Sequence, residues 1–159
     1  MVFYLEVLME NLTLRWAVKE PNKPLEELNF EVKYDNNDER GHQELKLAQK
    51  LVGGYVECVH LGGEVKVLCN EDGLAKNLAD NCGFVGTLVF VRDTLEEDEV
   101  YWGSLTDDDL RKLKIITVLR EHMPHPRNGP RVYAGEDADR YYRSLQEQAE
   151  RNEQAWNLL

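Results

Sequence analysis

Residues 2–8 and 12–18 are rich in β-branched and aromatic positions and are separated by Met9-Glu10-Asn11, a pattern that predicts the two strands of a hairpin. Pro21 and Pro24 then interrupt helix and central-strand readings alike. After them Leu28, Phe30 and Val32 alternate with Asn29, Glu31 and Lys33, as a half-buried strand does. The polar run 35–41 reads as a loop. Beyond it, Leu45, Leu47, Ala48, Leu51 and Val52 share one broad helical face, and Gly53-Gly54 supplies the left-handed residues that commonly stop a helix, so a helix is expected over 42–52.

Residues 55–61 and 64–69 flank Gly62-Gly63, which suits a type I′ hairpin because both central positions of that turn need positive φ. The implied register sets His60 opposite Val65, Cys58 opposite Val67 and Val56 opposite Cys69, so Cys58, His60 and Cys69 would share a face. Asn70-Glu71-Asp72-Gly73 reads as a turn, 74–79 as one or two helical turns, and the apolar run 84–91 as a central strand buried on both sides. Val100-Tyr101-Trp102 is a short strand candidate. Thr106 has the character of an N-cap, with Asp107, Asp108 and Asp109 in the first turn of a helix running to about residue 121. Pro124, Pro126 and Pro130 make 122–134 irregular. From Glu136 onward Ala138, Tyr141, Tyr142, Leu145, Ala149, Trp156 and Leu159 keep helical spacing. The expectation is an α+β fold, a small mostly antiparallel sheet with a Gly-Gly hairpin and about three packed helices, divided into a core over 1–93 and an acidic segment with a helical extension over 94–159.

Composition narrows the function classes. The 159 residues carry 30 Asp and Glu against 19 Lys and Arg, a net charge of -11 that repels nucleic acid and anionic lipid at long range. No signal peptide or membrane span is read near the start, where the apolar stretch is short and broken by Glu6. Three cysteines, Cys58, Cys69 and Cys82, suit a reducing compartment, which makes the cytoplasm the expected location, that of a host cell if the chain is viral.

The segments Leu51-Val52-Gly53-Gly54-Tyr55-Val56-Glu57 and Asn70-Glu71-Asp72-Gly73, then Asn81 and Val85-Gly86-Thr87-Leu88-Val89-Phe90-Val91, lie within residues 43–91. In order and spacing this stretch resembles a family of small uncharacterised domains common in bacteriophage, plasmid and related mobile genomes. The resemblance implies the origin of a viral or mobile-element accessory protein and carries no established activity.

No catalytic signature is present, and two readings of function stay open. In the first, a non-enzymatic accessory protein binds a basic host protein, with inhibition of a bacterial defence system as its role. The acidic segment 93–109 would dock that partner through Glu96, Glu97 and Glu99, with Tyr101 and Trp102 supplying aromatic contact area. A solvated hairpin plus a helix cap explains the same carboxylates, and a surface imitating nucleic-acid phosphates is a third possibility. In the second reading, an enzyme or sponge takes small phosphorylated, nucleotide-like ligands. The one locally basic loop, with His125, Arg127 and Arg131 and with Arg140 and Arg143 nearby in sequence, would hold the phosphate in the bidentate fork that arginine offers, and Glu57 would face the ligand from the hairpin. A Pro-rich connector and a solvated edge residue are the plainer accounts of these groups. Cys58, His60 and Cys69 with Cys82 have the chemistry of zinc ligands but lack any Cys-x2-Cys knuckle, so they are read as core, and neither metal nor cofactor is expected.

Overall fold

The computed structural model describes residues 10–34, 37–96, 98–126 and 135–159. It is an α+β fold. Eight strands are described: β1 (Glu10–Lys19), β2 (Glu26–Tyr34), β3 (Val56–Gly62), β4 (Val65–Asn70), β5 (Asp80–Asn81), β6 (Phe84–Val85), β7 (Leu88–Glu96) and β8 (Glu99–Gly103). Three helices accompany them: α1 (Asn37–Val52), α2 (Asp107–Leu119) and α3 (Glu136–Asn157). The main sheet runs β2-β1-β7-β4-β3, all neighbours antiparallel, and β5 and β6 form a separate two-stranded ribbon. β4 takes one edge of β7, while β1 and then β8 share the other. The sheet therefore continues through residue 93 without a break.

Alternation along the strands sorts side chains to two faces. Leu14, Trp16, Leu68, Val89 and Val91 turn to one face and pack with Val32, Tyr34 and, from α1, Ala48 and Val52. Ala17, Val67, Cys69, Leu88 and Phe90 turn to the other face and meet Leu110 and Leu113 of α2 and Trp156 of α3. Burial on both sides explains why β7 reads as nearly uninterrupted apolar sequence. Thr106 caps α2 as expected, in a reciprocal capping box with Asp109, which also pairs with Arg92 at 2.9 Å.

Several expectations need correction. Glu10 and Asn11, read as a turn, are strand, and β1 pairs with β2 across the Pro21–Pro24 connection; the expected partner strand 2–8 lies outside the described residues. The apolar run 84–91 is two strands rather than one, because Gly86 takes φ +75° between β6 and β7. Residues 71–77 form hydrogen-bonded turns rather than a helix. The supposed loop 35–41 already holds the first turn of α1. Its Arg40 is buried, donating from Nε to Glu44 at 3.1 Å and from Nη1 to Glu96, with its guanidinium 4.1 Å from the centre of the Tyr101 ring. A turn that buries an arginine rather than a hydrocarbon leaves no trace in a hydrophobic pattern.

The central hairpin shows the correction with the largest consequence. Gly63 has φ +55° but Gly62 does not adopt positive φ, and the pairing slips at a bulge between His60 and Gly62. Below the bulge His60 faces Lys66, Cys58 faces Leu68 and Glu57 faces Cys69. Because paired residues share a face, a one-residue slip moves Cys69 away from Cys58 and His60 and sets it beside Glu57. The proposed shared face of Cys58, His60 and Cys69 does not exist. Gly53, at φ +80°, ends α1 as expected.

Gly62 lies under the Trp156 ring: a Cβ there would sit 2.2 Å from Trp156 Cβ, deep within the range that real contacts never reach. Gly62→Ala should destabilise the protein by about 1–3 kcal/mol through overpacking and raise amide hydrogen exchange along α3. Gly41→Ala, in α1 with nothing within 4 Å of the new methyl group, should instead stabilise by about 0.5–1 kcal/mol. Denaturant melts of both variants check this, and an unaffected Gly62→Ala would contradict the docking of α3.

Candidate functional site

α3 is fastened at one end. Trp156 is buried on the bare backbone of Gly62 and Gly63, with Lys112 Nζ 5.1 Å from the centre of its ring. Asn152 Nδ2 donates to the His60 carbonyl at 2.8 Å, Gly63 N–H donates to Glu153 Oε2 at 2.8 Å, and the same oxygen lies 2.8 Å from His60 Nε2. Most of the helix before residue 149 is exposed. The reason lies in the sequence: Arg140, Ser144, Gln148 and Arg151 follow one another at helical spacing, and such a polar line gains nothing by lying flat on an apolar sheet.

Between this line and the sheet lies a cleft of about 900 Å³. Its floor carries Glu57 and Val59 of β3 with Cys69 and Asn70 of β4. Arg140, Tyr141, Leu145 and Arg151 line it from α3, and Phe84, Arg120, Met123 and His125 from the opposite side. That opposite side is tied down through its neighbours. Buried Lys19 donates from Nζ to Glu121 at 3.2 Å, and Gly83 N–H donates to the Met123 carbonyl at 3.0 Å.

The electrostatics separate this cleft from the rest of the surface. Arg15 pairs with Asp107, Arg40 with Glu44 and Glu96, Arg92 with Asp109 and Arg111 with Asp108. Arg120, Arg140 and Arg151 make no ion pair among the described residues. Neither does Glu57, whose carboxyl is pushed above its ordinary range by burial first and by the nearby charge of Glu71 second. Positive and negative groups thus line one cleft without closing on each other.

Of the residues proposed from sequence for a phosphorylated ligand, Glu57, His125 and Arg140 are brought together here, Arg143 does not line the cleft, and Arg127 and Arg131 lie outside the described residues. Sequence reasoning missed Arg120 and Arg151. Arg140 and Arg151 stand eleven residues apart, close to three full turns, and that spacing was the available signal; Arg120, just past the end of α2, offered none.

The residues proposed for a protein partner are placed differently. Glu96 is bonded to Arg40, and Glu99 accepts a hydrogen bond from the Tyr101 hydroxyl. Tyr101 is buried, and Trp102 is half-buried, edge-on to Trp16 at 6.5 Å. Glu97 lies outside the described residues. Glu96 and Glu99 stay exposed all the same, and the hairpin exposes hydrocarbon beside them: Leu95 and Val100, cross-strand partners, are 69% and 64% exposed.

Among the described residues no group of His, Cys, Asp or Glu is arranged to hold a metal ion, and no helix is long and apolar enough to cross a membrane. Residues 14–116 match the family model described as a domain of unknown function, DUF3846, and the chain belongs to that family. The match reaches beyond the motif stretch 43–91 on both sides, from β1 into α2. No curated protein and no solved structure matches the chain.

The cysteines give a direct check of the corrected register. Cys69 is buried, and burial, then Glu57, then Cys58 push its thiol up to about 12, so at pH 8 only about one molecule in 10⁴ carries the thiolate that alkylation needs. Cys82 is buried as well, whereas Cys58 is exposed. Iodoacetamide should therefore modify Cys58 alone in the native protein, read by intact mass and peptide mapping. Alkylation of Cys69 before unfolding would contradict its placement under the cleft.

Proposed function

We propose that this DUF3846 chain is a binding protein whose ligand is a small phosphorylated molecule held in the cleft, and that it serves a bacteriophage or related mobile genome by sequestering that molecule in the host cytoplasm. The observation that carries the reading is the convergence of Arg120, Arg140 and Arg151 on one cleft without carboxylate partners, in a chain of net charge -11 whose Arg15, Arg40, Arg92 and Arg111 are all paired. Guanidinium groups bind phosphate in bidentate geometry and gain strength in a partly enclosed site. The volume lies within the range of small-molecule pockets.

A second reading rests on the β7–β8 hairpin. Leu95 and Val100 make an exposed apolar pair between Glu96 and Glu99, a surface suited to a host protein with basic residues around an apolar contact.

Calorimetric titration with inorganic pyrophosphate and with nucleotides should show binding, with the ligand recovered intact. Arg140→Gln with Arg151→Gln should weaken it at least tenfold and leave the melting temperature unchanged, since neither side chain makes a hydrogen bond or ion pair among the described residues. Absence of binding by every phosphorylated probe would overturn the cleft reading. For the second reading, Leu95→Ser with Val100→Ser should abolish retention of a host protein and leave phosphate binding intact; retention that survives the double substitution would contradict it.

A further inference from the structure

The cleft is lined by opposite charges that do not meet. Glu57 on its floor is half-buried and has no hydrogen bond or ion pair to its carboxylate among the described residues, and the three arginines at its sides have none either. Arg140 and Arg151 are exposed and keep their water, whereas Glu57 and Arg120 are half-buried, where an unpaired charge is costly. Here Glu57 is fixed on a strand, opposite Cys69, while Arg140 and Arg151 rise from a helix whose position is set at its far end by Trp156. The gap between them is therefore built into the fold.

Resting on the anion-binding reading above, we propose that the ligand is dipolar, a nucleotide whose base carries an exocyclic amino group. Its phosphate sits on the arginines, and its amino group donates to the Glu57 carboxylate. Three observations lead to this class. An anionic end satisfies the arginines. A hydrogen-bond donor at the other end satisfies Glu57 and offsets the burial that raises its pKa. In the same cleft Phe84 and Tyr141, both half-buried, offer aromatic area of the kind on which a base stacks. A base with a keto oxygen in place of the amino group would set acceptor against acceptor at Glu57, which is how a site rejects a near-isostere.

AMP with IMP, and CMP with UMP, are pairs of nearly equal size that differ in this group, so equilibrium binding of all four to the full chain tests the proposal. In whichever pair binds, the amino member should bind at least tenfold more tightly. Glu57→Gln should bring the two members within about twofold of each other without lowering the melting temperature, because it removes a half-buried charge that is unpaired among the described residues. Equal binding of amino and keto members, or a preference that survives Glu57→Gln, overturns the proposal. If that equal binding is still weakened by Arg140→Gln with Arg151→Gln, or if pyrophosphate binds and no nucleotide does, the anion-binding reading stands without it. Failure of all four nucleotides and of pyrophosphate to bind removes both.

Discussion

Everything on the cleft side of the sheet depends on one contact, the Trp156 ring lying on the bare backbone of Gly62 and Gly63. A large aromatic ring buries more surface than any other side chain α3 can bring, and it needs a seat without side chains. The bulge between His60 and Gly62 provides the seat by placing both glycines at the end of the hairpin, where Glu153 and Asn152 add hydrogen bonds to the same stretch of β3. Anchored there, α3 has no reason to lie down along its remaining length, since the residues it presents to the sheet are mainly arginine, serine and glutamine. A helix pinned at one end and polar along its inner face leaves an open space beneath it. The cleft is the consequence of that mismatch.

The same division follows the end of the family match. The family match ends at residue 116, so it contains the floor of the cleft, with Glu57, and the ribbon strand that bears Phe84. The three cleft arginines, Arg120, Arg140 and Arg151, lie beyond it. A core that supplies an acceptor and an aromatic surface is joined to later elements that supply the anion-binding groups. Elsewhere the arginines serve the fold. Arg40 is the extreme case: burial, the largest influence on it, pulls its pKa down, and the bonds to Glu96 and Glu44 outweigh that, so its charge is held more firmly than in water. Much of the acidic segment thereby has a structural account, with Glu96 on Arg40, Glu99 on Tyr101 and Asp109 on Arg92 and the Thr106 cap.

What could be read from the sequence follows from which physical signals are local. Period-two alternation identified β2, the two-sided apolar run identified β7, and Thr106 followed by three aspartates marked the start of α2, because each signal lies within a few residues of its effect. The signals that failed are those set by distant contacts. The hairpin register was inferred from a Gly-Gly turn, but Trp156, more than ninety residues away, occupies those glycines, and the pairing accommodates it with a bulge. The first turn of α1 was hidden because its inward residue is Arg40, whose burial depends on Glu96 and Tyr101. Glu57 and His125, assigned together to a phosphorylated ligand, line one cleft, whereas the aromatic residues assigned to a partner surface, Tyr101 and Trp102, turn inward to pack against Arg40 and Trp16.

The central claim is that the space under α3, between its arginine line and Glu57, is where this protein meets its ligand. Backbone amide chemical shifts followed by NMR during titration with inorganic pyrophosphate test it most directly, because they report location independently of affinity. The account predicts that the shifts concentrate at residues 56–59, 83–85, 120–126 and 140–152, with α1 and the β7–β8 hairpin left in place. Shifts confined to the hairpin 95–103 or to α1, with the cleft residues unmoved at saturation, would contradict it.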